Sequence, residues 1–195
     1  MSDQPTGDVC AILLAAGRGS RFSGASHKLL AELHGEPVVT WAIRSALAAR
    51  LAHVVVVTGA VALPLPDSVI TAHNPDWADG QASSLQCGID AAARLGAQAV
   101  VVGLGDQPFV TPETWNLLAA TDSPIAVATY AGRRGNPVRL HRDVWPLLPT
   151  EGDQGARAVI ALHPELVREV ACKGSPADID TMEDLQQWNS STNSL

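Results

Sequence analysis

The chain has 195 residues, 46% of them apolar and 17% charged, which is ordinary globular composition and enough chain for one substantial core. Twenty acidic against thirteen basic side chains give a formal charge of −7, which argues against nonspecific nucleic-acid binding through a broad basic face, so any anionic ligand has to be held locally. Cys10, Cys87 and Cys172 are too few and too scattered for a disulfide framework or a CxxC knuckle, and no stretch reads as a signal peptide or a membrane span; a cytoplasmic protein with no membrane partner is expected.

Val9 to Leu14 is a short apolar run that reads as the central strand of a parallel sheet covered on both faces. The segment after it is chemically different. Gly17, Gly19 and Gly24 permit positive φ and close backbone approach to a ligand, while Arg18, Arg21 and Lys28 set three cations along the same loop. Such a loop suits a polyphosphate; the alternative is a solvated glycine-rich surface loop. It carries neither named phosphate fingerprint, because Phe22 stands where the third glycine of a dinucleotide motif belongs and Lys28 lies between His27 and Leu29.

Farther on, Gly35-Glu36-Pro37 opens a helix whose apolar face runs through Val38, Trp41, Ala42, Ser45 and Ala46. His53 to Thr58 and Val69 to Ala72 read as strands, with a turn at His73-Asn74-Pro75. Residues 80–88, GQASSLQCG, lead into a helix reaching about Leu95, and Gln81, Ser83 and Ser84 sit where helix-start amides and hydroxyls can hold an oxygen-rich ligand; plain N-capping is the alternative. Ala99 to Leu104 is the next strand, and Asp106 follows it. A carboxylate just past the carboxyl end of a central strand is well placed for a metal or ligand.

Thr111-Pro112-Glu113 starts another helix, with a capping threonine and proline in the first turn. Pro124 to Tyr130 predicts a strand, and Arg133 to Val138 a turn into one more. Asp143 to Leu148 reads as helical, and Thr150 to Arg157 as a polar segment before an Ala/Val/Ile helix that Asp153 could cap. Leu166 to Ala171 is a last strand. Thr181 with Asp184 resembles a capping box for a final helix that Trp188 pins to the body. Residues 1–195 are expected to form a single domain, flexible at 1–8 and 190–195.

In order along the chain stand LAAGRGSRF, HKLL, GQASSL, GDQPFVTPE, RGNPV, EGDQGAR and DIDTMEDL. This order resembles the MobA-like molybdenum cofactor nucleotidyltransferase family, specifically its cytidylyltransferase branch, over about residues 9 to 188. The resemblance implies a three-layer α/β/α fold with a mostly parallel central sheet, a Rossmann-like nucleotidyltransferase fold. It implies transfer of CMP from CTP to the terminal phosphate of molybdopterin, with Mg²⁺ as cofactor and a molybdoenzyme or its maturation chaperone as a further partner. Leu14, Ala15, Ala16, Gly17 and Gly19 would meet the nucleotide, as would Gln81, Ser83 and Ser84. Arg21 and Lys28 would grip its phosphates. Asp106 and Asp180, with Asp178 as a further candidate, would hold the metal. Arg134, Asn136, Asp153 and Arg157 fall in the segments that flank the acceptor.

Four positions depart from the family pattern: His27 and Met182 replace common prolines, and Asp178 and Asp180 replace asparagines of the guanylyltransferase branch. None removes a charge that the chemistry requires. Two other functions remain open, a nucleotidyltransferase using GTP or another phosphorylated acceptor, and a noncatalytic module that delivers the cofactor.

Overall fold

The computed structural model describes residues 8–23 and 26–190. Expectations for Gly24, residues 1–7 and residues 191–195 lie outside the described residues. In chain order the elements are β1 (Val9–Ala15), a 3-10 turn (Lys28–Leu30), the small hairpin β2 (Glu32–Leu33) and β3 (Glu36–Pro37), α1 (Val38–Ala48), β4 (His53–Thr58), β5 (Ile70–His73), α2 (Gln81–Arg94) and β6 (Ala99–Leu104). Then follow α3 (Pro112–Ala119), β7 (Ile125–Tyr130), β8 (Arg133–His141), α4 (Ala156–Leu162), β9 (Val167–Ala171) and α5 (Met182–Ser190).

The main sheet has seven strands in the order β5-β4-β1-β6-β8-β7-β9. β1 pairs in parallel with β4 and β6, β4 with β5, and β7 with β9, while β8 runs antiparallel to both its neighbours. The expected mostly parallel sheet is therefore what forms. Period-2 alternation along β1 divides the core into two layers. Val9, Ala11, Leu13 and Ala15 pack with Val39, Ile43, Ala46, Trp115 and Leu118 from α1 and α3. Cys10 and Ile12 face the other way, toward Leu85, Ile89 and Ala92 of α2 and Val159 of α4. Helices on both faces explain why β1, β4 and β6 are apolar runs without a polar side.

A third cluster joins Leu33 and Val38 to Ile179 and Leu185, so that α5 covers the β2–β3 hairpin. Trp188 lies against Phe109 with ring centroids 3.9 Å apart, which realises the pinning expected for this helix.

Three local features differ from expectation. The turn joining β7 to β8 is Ala131-Gly132, not the stretch from Arg133, and both residues have positive φ, 49° and 78°. That is the two-residue hairpin geometry whose twist matches the flanking strands. Gly135, Asn136 and Pro137 instead accompany a register shift inside β8, where Val127 pairs with Val138 and Ala128 with Gly135. Arg142–Leu147 is a 3-10 segment containing Pro146 rather than an α-helix. At the ends of the described chain, Asp8 O accepts from Gln98 N–H at 2.8 Å, and α5 runs to Ser190.

Candidate active site

β1 lies between β4 and β6, and the chain leaves β1 toward β4 and later enters the sheet again at β6 on its other side. A crevice opens at such a reversal, outside the carboxyl ends of the strands. Leu14 and Leu104 are register partners there, and Gly105 N–H donates to Leu14 O at 2.9 Å. Asp106 is therefore held at the mouth of the crevice by the sheet itself.

The segment from Gly174 to Asp180 runs beside it. Val110 and Gly174 form a β-bridge, Gln107 Nε2 donates to Pro176 O at 2.8 Å, and Ile179 N–H donates to Asp106 O at 2.9 Å. With the Ile179 side chain fully buried, Asp180 is delivered opposite Asp106. Behind it Asp184 Oδ2 accepts from the amides of Asp180 at 3.1 Å and Thr181 at 2.8 Å, and Asp184 N–H donates to Thr181 Oγ1 at 3.1 Å. The expected capping box is formed, and it also grips the backbone of Asp180.

Lys28 enters between the two carboxylates. Its Nζ lies 2.5 Å from Asp106 Oδ2 and 2.7 Å from Asp180 Oδ1, with only 14% of the side chain exposed. Arg21, 79% exposed, reaches the outer oxygen of Asp180 at 2.8 Å. His27 anchors the loop below: its Nε2 is 3.0 Å from Gly17 O and its Nδ1 accepts from Leu29 N–H at 3.3 Å. This residue, where the resemblance leads one to expect proline, stiffens the turn through hydrogen bonds instead of a ring. Gly19 is required here, since it has φ +65° and a Cβ on it would stand 3.0 Å from Lys28 Cγ.

Burial pushes the Asp106 carboxyl above the usual carboxylate range; attraction to Lys28 opposes the rise, and the charges of Asp178 and Asp180 add to it. Burial alone would lower the Lys28 ammonium, but attraction to Asp106 and Asp180 outweighs it and holds the group above its ordinary value. Asp106 Oδ1 is buried without a hydrogen-bond partner among the described residues. No group of three or more His, Cys, Asp or Glu able to hold a metal occurs among the described residues. The donors present are two carboxylates with an unspent, hard oxygen. Such a set fits Mg²⁺, which keeps several waters and takes few protein ligands.

Beside this charge cluster lies a cavity of about 340 Å³ lined by Leu14, Ala16, Gly17, Arg18, Trp77, Gln81, Ser84 and Asp153, among others. Ser83 lies outside that lining: its hydroxyl accepts from Asn74 Nδ2 at 3.0 Å and donates toward the carbonyls of Asp76 and Gly80 at 2.9 Å. Ser84 also accepts from Asn74 Nδ2, at 3.0 Å, so one buried asparagine fixes the start of α2. Neither serine caps the helix; Gly80 stands at the cap with φ 105°, and a Cβ there would be 2.6 Å from the Gly152 carbonyl. This close approach places Asp153 at the cavity and not at the start of α4, whose cap is Gly155 without any side-chain bond.

A smaller recess continues the crevice, floored by Leu85, Val102, Val138 and Ile160 and rimmed by Gln81, Asn136, Gln154 and Arg157. Of the residues expected on the acceptor side, Asn136 and Arg157 meet there, whereas Arg134 lies elsewhere, paired at 2.7 Å with Glu169 on the surface. Trp77 and Asn74 were missed by sequence reasoning. An indole in the polar loop that opens α2 was the available signal for the first, and nothing distinguished Asn74 from an ordinary turn asparagine.

The family model described as MobA-like NTP transferase domain matches residues 11–169. The purine catabolism protein PucB of Bacillus subtilis (strain 168) is 30% identical over 89% of this chain and 92% of its own length. The bifunctional protein GlmU of Sorangium cellulosum (strain So ce56) is 34% identical over 66% of this chain, but only 30% of GlmU is covered. Among solved structures, Rv0371c of Mycobacterium tuberculosis H37Rv superposes with a TM-score of 0.79 at 27% identity, covering 95% of this chain and 100% of that one. A complex of Rv0371C with manganese superposes with a TM-score of 0.74 at 26% identity, with the same coverage.

Proposed function

Because the chain belongs to the MobA-like NTP transferase family, a family of nucleotidyltransferases, we propose that it moves CMP from CTP to the terminal phosphate of molybdopterin carrying molybdenum, releasing pyrophosphate. The observation that carries this is the meeting of Arg21, Lys28, Asp106 and Asp180 at one end of a cavity that continues into an apolar recess with a polar rim.

The reaction joins two anions. A phosphate oxygen of the acceptor attacks the α-phosphorus in line and pyrophosphate leaves, so the protein needs no nucleophile of its own and acts by positioning and charge neutralisation. Asp106 and Asp180 would hold Mg²⁺, which supplies charge stabilisation at the transferring phosphoryl group. Lys28 and Arg21 supply cationic charge to the triphosphate, and their contribution grows as negative charge accumulates on the leaving pyrophosphate. The Gly17 turn lets the backbone close on the nucleotide, and Trp77, Gln81, Ser84 and Asp153 offer a ring face, an amide, a hydroxyl and a carboxylate to its base and ribose. In the recess, Leu85, Val102, Val138 and Ile160 suit a flat heterocycle, Asn136 and Gln154 can meet its polar edge, and Arg157 suits its phosphate.

The deciding experiment incubates the purified protein with Mg²⁺, each nucleoside triphosphate in turn, and either molybdopterin carrying molybdenum or another phosphorylated acceptor, and follows pyrophosphate. Release that needs CTP and molybdopterin together is expected. Release with a different phosphorylated acceptor alone would retain the transferase and replace the acceptor, and nucleotide binding without release under any combination would leave a delivery module.

A further inference from the structure

We infer that Lys28 is a built-in counter-ion for the metal carboxylates, so that a divalent cation and a nucleoside triphosphate bind this protein cooperatively, each relieving the closed Asp106–Lys28–Asp180 bridge for the other. The inference rests on the assignment of Asp106 and Asp180 as metal ligands. It goes beyond that assignment by giving Lys28 two positions, one on the carboxylates when nucleotide is absent and one on the triphosphate when it is bound.

The geometry sets up a competition for the same oxygens. Nζ lies 2.5 Å from Asp106 Oδ2 and 2.7 Å from Asp180 Oδ1, in the space a divalent cation needs if it is to bind both carboxylates. Mg²⁺ demands oxygen ligands at about 2.0–2.1 Å, a separation at which an ammonium cannot stay between them. The site is screened from water, with Lys28, Asp106 and Asp180 side chains each 14 or 15% exposed, so repulsion between the two cations is weakly damped.

Lys28 is suited to being exchanged. Its ammonium is a compact charge on a flexible stem with three donors, equally able to meet carboxylate or phosphate. Its base stays fixed while its head moves, because His27 and the buried Leu29 hold the turn. Asp180 has a second cation beside it, Arg21, 2.8 Å from its outer oxygen. Among the described residues Asp106 has no such second cation and its Oδ1 is buried and unpartnered, so loss of Lys28 leaves it open to the incoming metal. A triphosphate that draws Lys28 away therefore opens the metal site, and by reciprocity the metal raises nucleotide affinity by the same factor.

The test measures Mn²⁺ affinity by electron paramagnetic resonance of the free ion, with and without CTP and with no acceptor present. Lys28→Met keeps the stem against Gly19 and removes the charge. Without nucleotide it should bind Mn²⁺ more tightly than the wild type, by roughly 5- to 150-fold, the usual span of a coupling between two ligands. Direct contact between metal and triphosphate is common to both proteins, so the extra enhancement that CTP gives the wild type is the quantity read, and it should shrink in the variant. Arg21→Met, which also removes one charge, should change Mn²⁺ affinity far less; an equal effect would overturn occupancy in favour of net charge alone. Equal or weaker Mn²⁺ binding by Lys28→Met would overturn the inference while leaving the metal assignment standing. Mn²⁺ binding unaffected by Asp106→Asn would overturn both.

A measurement on the wild type decides the matter should Lys28→Met fail to fold. The chain has two lysines, Lys28 and Lys173, so their ¹⁵Nζ resonances are readily separated. Saturation with Mg²⁺ should move the Lys28 signal and leave that of Lys173 in place. An unmoved Lys28 signal at saturation would refute the exchange.

Discussion

Ile179 donates its backbone N–H to the carbonyl oxygen of Asp106 across 2.9 Å, joining a residue just past the sixth strand to one just before the last helix. The two candidate metal carboxylates, Asp106 and Asp180, are 74 positions apart in the chain, and this bond sets them on either side of one lysine. Asp106 is fixed by the sheet and Asp180 by a helix cap, so both halves of the site stand on rigid elements.

Asp106→Asn should lower turnover on the order of 10²-fold or more, the usual cost of losing a charge-stabilising group at a transferring centre. The substitution is close to isosteric. Burial already disfavours the ionised carboxyl, so the change removes a desolvation cost along with the Lys28 contact, and the fold should persist. Kinetics with Mg²⁺ at saturating nucleotide, together with a circular dichroism spectrum, check both halves. Near-normal turnover would remove Asp106 from the metal site.

Lys28→Ala should raise the KM for nucleotide and lower kcat, because charge on the leaving pyrophosphate increases toward the transition state. There is also a pH signature in the metal-free protein. The folded-state pKa of Lys28 lies above its unfolded value, so the ion pairs contribute fully below about pH 10.4, the ordinary lysine value, and are lost as pH rises through the folded value. Denaturant midpoints of the wild type and Lys28→Met should therefore converge above pH 10.4. A stability difference that stays constant across that window would show that the pairs contribute nothing on balance.

Asp184→Ala should destabilise the protein by about 0.5–2 kcal/mol, the usual value of a helix cap. Burial is the largest single influence and opposes ionisation of Asp184, but hydrogen bonds involving Thr181 and Asp180 together outweigh it and hold the carboxyl below its ordinary range. The sign follows: its contribution is present above about pH 3.9 and disappears as pH falls through the lower, folded value. Because the same oxygen holds the Asp180 amide, kcat should fall as well, and Asp184→Asn should recover part of both losses. Full activity in Asp184→Ala would limit the residue to capping.

Sequence reasoning reached the sheet because its strands are buried on both faces and read as runs of β-branched residues, and it reached α3 and α5 because their caps are spelled out in Thr111-Pro112 and Thr181–Asp184. It misplaced the β7–β8 turn because Gly135, Asn136 and Pro137 are turn residues used here at a bulge. The Lys28 bridge was not legible. Charge type says that Lys28 can meet phosphate, and only the fold shows that the same ammonium meets two carboxylates 78 and 152 residues away. Asp153 and Ser83 were ambiguous for a similar reason, since the Gly80–Gly152 contact and the Asn74 side chain decide which loop faces the cavity.

Base choice turns on Ala16. Ala16 is 2% exposed and belongs to the α2-side core layer while also lining the cavity. A Cβ built on Gly59 would stand 2.9 Å from the Ala16 methyl and 2.8 Å from Trp77 Cβ, so these three residues form one packed unit behind the cavity wall. Under the proposed function the methyl would act on the base through the position of Gly59 and the Trp77 ring as well as by its own bulk. Steric fit of this kind is worth about 1–3 kcal/mol, or roughly 10- to 200-fold in discrimination. The wild type should therefore prefer CTP over GTP. Ala16→Gly should narrow the preference without reversing it, because hydrogen bonds to the base edge from groups such as Gln81 and Asp153 must be re-paired and not merely given room. Gly59→Ala adds bulk at the same place: with less than 3 Å available, the added methyl must displace Trp77 or Ala16, and efficiency with both nucleotides should drop. The measurement is the ratio of kcat/KM for CTP and GTP in the three proteins with one acceptor. A wild-type preference for GTP would remove the cytidylyltransferase assignment while leaving nucleotidyl transfer intact, and an Ala16→Gly ratio equal to that of the wild type would place base selection in the α2 start alone.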